Sequence, residues 1–157
     1  SIRAVVPQVQ HKIGAPHTGW DHYSTTAWIY PPGTGLSLHD DGNNVYSGAY
    51  VYFLNPVWKP HWGGLLIVLD TEANLAIQTH KKEGNTHAIH KKKWLHVTEH
   101  SDIAMEVGLG RCVMPKRNRM VFIHPEAFHL VTRVLPECGD NVRMSLAGFF
   151  HREEKKK

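Results

Sequence analysis

The feature that most constrains this chain is the recurrence of apolar residues at every second position in short runs, each ended by Gly, Pro, Asn or Asp. In an extended backbone the side chains at i and i+2 share a face, so such runs make strands with one face turned inward. Runs of this kind occupy residues 25–30, 36–39, 48–54, 65–69, about 103–107, 119–123, 128–135 and 142–150. Between them lie Pro31-Pro32-Gly33, Asp41-Gly42-Asn43-Asn44, Gly63-Gly64, Pro125 and Cys138-Gly139-Asp140-Asn141, which carry the chemistry of turns. No segment of ten or more residues shows a convincing helical period. The expected fold is therefore mostly β with few helices, its short strands closed into a double-sheet jelly roll of the cupin-like, double-stranded β-helix kind.

Residues 71–101 break the alternation, being polar and rich in Lys and His around Gly84-Asn85. They are expected to form a long loop excursion, either a functional lid or a disordered segment, and residues 152–157 a frayed tail. No internal repeat is present. At 157 residues the chain suits one domain, expected to span 1–157. Ser1 opens it without the order of a signal peptide, which suggests a processed or trimmed piece of something longer. No apolar run approaches the roughly 20 residues that cross a bilayer.

Cys112 and Cys138 are too few for a disulfide framework, which favours a reducing compartment and a cytoplasmic location. The net charge of +4 comes largely from Lys81, Lys82, Lys91, Lys92, Lys93 and the terminal lysines 155–157, the composition of a solvated loop and tail. Neither nucleic acid nor a membrane is expected as a partner, and the number of subunits is left open. The anomaly is the 13 histidines, because neutral imidazole is the commonest protein metal ligand.

A His-x-carboxylate pair at a strand end sends two side chains to one side of the backbone, where they can fill adjacent positions on a metal. The pattern occurs at His39-x-Asp41, His100-x-Asp102, His124-x-Glu126 and His151-x-Glu153. His151 opens the tail, His100 closes the excursion, and His124 is followed by Pro125. Only His39-x-Asp41 lies between two clear strands; its bland alternative is an Asx-turn beside a surface histidine.

Downstream, His129 sits within an apolar strand, where its ring nitrogens need partners. Arg143, in the last strong strand, points the same way as Ser145; a guanidinium turned inward needs an anion, and the pair would form a socket for one. Two histidines and one carboxylate on one face of an iron leave open positions, as in non-haem Fe(II) oxygenases. The deep arginine would hold the far carboxylate of a keto-acid cosubstrate.

With these residues in that order, the chain resembles the Fe(II)/2-oxoglutarate-dependent dioxygenases and, among them, the prolyl 4-hydroxylase-like branch. The likeness runs from Tyr30 to Phe150. Tyr30-Pro31-Pro32-Gly33 through His39-Asp40-Asp41 resembles the family's Tyr to His-x-Asp stretch. Tyr52-Phe53-Leu54-Asn55 with Trp58 and Gly63-Gly64 resembles its Tyr-Leu-Asn, Trp and Gly-Gly segment. Asn118-Arg119-Met120-Val121-Phe122 leads to the counterparts of its distal histidine, His129, and cosubstrate arginine, Arg143-x-Ser145.

The resemblance implies Fe(II) held by His39, Asp41 and His129, 2-oxoglutarate paired with Arg143, and O2 consumed with release of succinate and CO2 as an unactivated C–H is hydroxylated. Phe53 stands where the oxygen-sensing members have a tyrosine, leaving Ser145 and Tyr30 to supply the cosubstrate hydroxyl. The excursion between Asp41 and His129 is a second departure.

Within the resemblance, an intact Asp41 favours hydroxylation over halogenation, while desaturation, ring closure and epimerisation share the same ligands. No peptide-docking module is evident, which favours a small molecule such as an amino acid, nucleotide or natural-product intermediate over a peptidyl proline. Competing classes are a non-catalytic β-barrel binding module and a cupin-type isomerase. Trp28, Val51 and Arg119 are candidate pocket residues. His80, His87, His90, His96 and His100 are expected to be part of a solvated loop rather than a second metal site.

Overall fold

The alternating runs form nine strands in two antiparallel sheets in a computed structural model that describes residues 2–42, 45–82, 106 and 110–152, with the backbone alone for residues 3 and 80–82. The strands are β1 (His22–Tyr23), β2 (Thr26–Tyr30), β3 (Leu36–His39), β4 (Tyr46–Phe53), β5 (Leu66–Leu69), β6 (Gly110–Val113), β7 (Met120–Ile123), β8 (His129–Val131) and β9 (Arg143–His151). The larger sheet runs β1-β9-β4-β7, with β2 also on β9; the smaller runs β3-β8-β5-β6. From β3 to β9 the chain passes repeatedly between the sheets. The result is the expected jelly roll, the double-stranded β-helix.

The strand at 36–39 forms as read, and the others shift by a few residues. The run at 128–135 shortens to His129–Val131 because Thr132 turns its hydroxyl to the Leu65 N–H, 2.9 Å away, and Val134 forms only an isolated bridge with Gly63. The expected strand at about 103–107 lies, Glu106 apart, outside the described residues. Two strands were not anticipated: β1 is too short to alternate, and β6 is an exposed edge with little apolar residue content.

The expectation that no helical period exists is overturned twice. In α1 (Ile2–Ile13) the residues Ile2, Val6, Val9 and Ile13 fall on one stripe and pack with Trp20, Tyr50 and Phe150 on the outer face of the larger sheet, despite Pro7 within the helix. Gly48 makes room there, since a Cβ on it would lie 2.7 Å from Ile13 Cγ2. The start of the supposed loop at 71–101 is α2 (Thr71–Lys82). Asp70 caps it, its Oδ1 accepting the Ala73 N–H at 2.9 Å. Ala73 and Ile77, one turn apart, are fully buried, Ile77 against Leu38 and Phe128. The rest of that excursion, with His87, His90, His96 and His100, lies outside the described residues.

A core of Phe53, Leu66, Ile123, Val131 and Val134 fills the space between the sheets. The two strands β1 and β2 follow one edge of β9 but are interrupted at Ser24. Ser24 presses inward there: its N–H donates to the Phe149 carbonyl at 2.9 Å and its hydroxyl accepts the Phe149 N–H at 3.2 Å. Gly148 allows that approach, because a Cβ on it would sit 1.9 Å from the Ser24 carbonyl oxygen. The substitution Gly148→Ala is therefore expected to cost at least about 2 kcal/mol by forcing the edge apart. A denaturant midpoint unchanged from the parent would contradict this account of the break.

Candidate metal centre and anion socket

In the smaller sheet β3 pairs with β8 so that His39 and His129 are direct cross-strand partners. Their rings face one another with centroids 4.2 Å apart. Just past β3, the Asp41 N–H donates to the Pro125 carbonyl at 3.0 Å, which ties the turn to the segment leading into β8. The Asp41 carboxylate reaches His129 Nε2 at 3.5 Å and His39 Nε2 at 3.8 Å. The three potential ligand atoms lie within 4.8 Å of one another, and among the described residues this is the group of its kind. The Asx-turn is made by the neighbour: Asp40 Oδ1 accepts the Gly42 N–H at 3.0 Å. Asp41 is left for the cavity.

Each imidazole is oriented by the same device. His39 Nδ1 lies 2.8 Å from the Ser37 carbonyl, and His129 Nδ1 lies 2.8 Å from the Ala127 carbonyl. A carbonyl can only accept, so both rings carry their proton on Nδ1 when neutral and present the Nε2 lone pair to the centre. Burial, and then the neighbouring His39, lower the His129 pKa to about 4. Its ring is consequently neutral and ready to ligate at neutral pH. Burial raises the Asp41 carboxyl, an effect opposed by His39 and reinforced by Asp40. Two imidazole nitrogens and a carboxylate oxygen are the donor set that suits a non-haem Fe(II), so the residues fit that metal.

Deeper in the same cavity, Arg143 is 1% exposed. Its Nε donates to the Gly64 carbonyl at 2.7 Å and its Nη1 to Ser145 Oγ at 3.2 Å. The guanidinium lies 4.9 Å from the Tyr30 ring centroid and 5.1 Å from that of Phe53. Nη2 is buried with no partner among the described residues. Burial lowers the Arg143 pKa to about 10, which still leaves it charged at neutral pH. A buried cation with one donor unspent fits the carboxylate of a keto acid.

Two features that hold this socket were read from the sequence only as motif or turn residues, with no part in the site assigned to them. Asn55 is buried and clamps the backbone on both sides of Arg143, donating to the Val142 carbonyl and accepting the Met144 N–H, each at 2.7 Å. Its signal was an amide ending an apolar strand. Gly63 and Gly64 both have positive φ, and a Cβ on Gly64 would come within 2.8 Å of Arg143 Cδ. Here glycine is what admits the arginine stem.

The cavity holds about 510 Å³ and is bounded by both sheets. His39, Asp41, His129, Arg143, Ser145 and Tyr30 all line it. Of the candidate pocket residues, Trp28 and Val51 line it and Arg119 does not; Arg119 turns its Nη1 to the Met114 carbonyl at 2.6 Å. Among the described residues, His124, Glu126 and His151 do not join the centre. His124 accepts the Glu126 N–H at 3.4 Å, His151 bonds Ser24 Oγ at 3.0 Å, and Asp102 and Glu153 lie outside the described residues. Cys112 and Cys138 are free thiols. No helix among the described residues is long and apolar enough to cross a membrane.

Because His129 titrates near 4 when folded and near 6.5 when unfolded, the unfolded chain binds the extra proton between those values. Metal-free protein should thus lose stability as pH falls through that window. Ring-proton NMR should show one histidine staying neutral until about pH 4, its signal absent from His129→Asn. A midpoint near 6.5 for that ring would contradict the burial argument.

Comparisons with known proteins bear on the fold and the family. No curated protein matches the chain. Among solved structures, a prolyl-4-hydroxylase from Pseudomonas putida superimposes with a TM-score of 0.64 at 18% identity, over 99% of this chain and 64% of that one. A prolyl 4-hydroxylase from Phytophthora capsici gives 0.55 at 13% identity, over 98% of this chain and 40% of that one. The chain thus spans less than two thirds of the length of either enzyme, and at these identities the likeness is one of fold. The model of the 2OG-Fe(II) oxygenase superfamily matches residues 25–151, which contain every described strand but β1 and every residue of the centre. This chain belongs to the 2OG-Fe(II) oxygenase superfamily, whose cofactors are Fe(II), 2-oxoglutarate and O2.

Proposed function

We propose that His39, Asp41 and His129 hold Fe(II), that Arg143 with Ser145 and Tyr30 holds the far carboxylate of 2-oxoglutarate, and that the chain hydroxylates an unactivated C–H of a small molecule, releasing succinate and CO2. The observation that carries this reading is the buried Arg143. It shares one cavity with the two-histidine, one-carboxylate set, and among the described residues no carboxylate pairs with it. A non-catalytic barrel has no use for a metal-ready triad beside a charged socket of this kind.

Bound Fe(II) and 2-oxoglutarate supply the O2-activating chemistry; the side chains position and protect it. The two Nδ1–carbonyl bonds hold both imidazoles in the ligating tautomer. Burial raises the Tyr30 pKa, so its hydroxyl stays protonated and can donate into the cavity. Ser145 Oγ accepts from Arg143 and can donate its own O–H in a hydrogen bond to a carboxylate. Trp28, Val51 and Phe149 make much of the remaining wall apolar, which limits water around the reacting groups. A cavity of this size is typical of small-ligand sites, which supports a small-molecule substrate. A peptidyl proline is the second reading, supported by the two prolyl 4-hydroxylase folds.

Under argon, protein loaded with Fe(II) should develop a weak visible absorption on addition of 2-oxoglutarate, and Asp41→Ala should abolish both that band and succinate release. In Arg143→Gln the metal should still bind, while 2-oxoglutarate affinity falls at least about 100-fold, the scale of breaking a buried ion pair. Full turnover in Asp41→Ala would overturn the ligand assignment. A screen of amino acids, nucleotides and prolyl peptides for coupled succinate release then separates the substrate classes.

A further inference from the structure

On the inner face of the larger sheet, β2, β9 and β4 lie side by side across the cavity. Their register sets the rows: Tyr30 faces Arg143, Trp28 and Phe53 flank Ser145, and Thr26 and Val51 flank Ala147. One row further on, Phe149 faces Ala49. Arg143, Tyr30, Phe53 and Ser145 are buried, Trp28, Val51, Ala147 and Phe149 half-buried, and Thr26 exposed. The rows thus run from a closed floor to an open mouth.

The charged groups among the described residues that line this cavity are His39, Asp40, Asp41, His129 and Arg143, and of these only Arg143 belongs to the larger sheet. The triad and Arg143 have tasks in the oxygenase reading. Asp40 is engaged within the protein, by the Gly42 N–H at 3.0 Å and by more than that contact, so it is not a charge held in reserve for a substrate. Tyr50 also lines the cavity, but it donates its hydroxyl to the Ser24 carbonyl, 3.0 Å away. What a ligand meets on this wall beyond Ser145 is side-chain carbon, with the Thr26 hydroxyl at the rim.

Two of these side chains are short. Ala147 and Ala49 are diagonal neighbours on β9 and β4, positions about 7 Å apart, and around them stand Trp28, Val51 and Phe149. Methyl groups set among large side chains leave a recess. Trp28 is held at its edge, with its indole 17° from parallel to the Tyr30 ring and the centroids 6.0 Å apart. A recess of this kind beside a fixed indole suits a flat apolar ring. An ionic group pressed against it would lose its water without gaining a partner.

We infer that the substrate is uncharged where it enters this site, a small molecule with a flat apolar ring seated on Ala147 between Trp28 and Val51. This rests on the oxygenase reading above and makes Ala147 a specificity-determining residue, the one that sets the size of the ring admitted. Among the candidate substrates it places neutral natural-product intermediates ahead of zwitterionic amino acids and phosphorylated nucleotides.

Three probes that share one ring system and differ in charge test it: 2-naphthylmethanol, 2-naphthylmethylamine and 2-naphthoate. Each is titrated by ligand-observed NMR against protein carrying Zn(II) and 2-oxoglutarate, so that no turnover is needed. The alcohol should bind at least about tenfold more tightly than either ion, since only the ions lose strong hydration at an apolar wall. In Ala147→Leu, whose larger side chain fills the recess, the affinity of the alcohol should fall at least about tenfold while that of 2-oxoglutarate is unchanged. An ion that binds as tightly as the alcohol, no binding of the alcohol to the parent protein, or full affinity for it in Ala147→Leu would each overturn the inference. The parent ranking decides the matter even if the variant fails to fold. Binding of 2-oxoglutarate is measured separately: its absence defeats the oxygenase reading and the inference with it, whereas its presence with the wrong ranking of probes defeats only the apolar seat.

Discussion

A guanidinium almost completely removed from water is the costliest group to bury among the described residues, and the rest of the site is organised around it. Arg143 cannot escape by losing its proton at neutral pH, since burial lowers its pKa only to about 10. The fold answers by supplying neutral partners: the Gly64 carbonyl, the Ser145 hydroxyl and two aromatic faces. None of these carries a negative charge. A cation buried in this way is stable only at a local cost, which an anionic ligand would relieve, and this explains why so much structure converges on it. Asn55 clamps its strand, Gly64 clears its stem, and β9 runs between β2 and β4 with partners on both sides.

The centre nearer the mouth depends on register in the smaller sheet. Strand side chains alternate, so a slip of one residue between β3 and β8 would turn a histidine out of the cavity. Leu38 is buried with Ile77 and Phe128, which sets the face that β3 turns toward α2, and the ladder shifts register between the Leu36–Val131 and His39–His129 pairs. The helix α2 thus takes part in the site from outside it: Asn74 Oδ1 accepts the Phe128 N–H at 2.7 Å, immediately before His129. A helix that touches no ligand helps decide where one points.

Much of this could be read from alternation and a few residue types. Parity alone placed Arg143 and Ser145 together, and the isolation of His129 in an apolar strand marked it as a residue in need of a task. The His-x-carboxylate pattern was ambiguous because it depends on which turn follows; at 39–41 the answer lay in Asp40 taking the Asx-turn and freeing its neighbour. The helices were missed for opposite reasons. In α1 a regular stripe was present but carried Pro7, and in α2 the residues around the buried Ala73 and Ile77 are so polar that the segment reads as loop. Arg119 was misplaced because it shares parity with Val121 and Ile123, yet it precedes β7, where its side chain is free to fold back to Met114. Alternation says nothing beyond the ends of a strand.

A phenylalanine at position 53, where the resemblance would put a tyrosine, has a physical logic of its own. Phe53 is fully buried, so a hydroxyl on its ring would need a partner, and the nearest charged group is Arg143. Such a hydroxyl would have accepted from the guanidinium and consumed a donor. An aromatic face instead stabilises the cation, by about 0.5–2 kcal/mol in such contacts, while leaving its N–H groups unspent. Tyr30 adds a second face from the opposite side of the socket and brings a protonated hydroxyl to the same cavity. The hydroxyl missing at position 53 is thus available at position 30. In the proposed reading, Arg143 Nη2, Ser145 and Tyr30 together present three donors to one carboxylate, and Phe53 contributes by not competing for any of them.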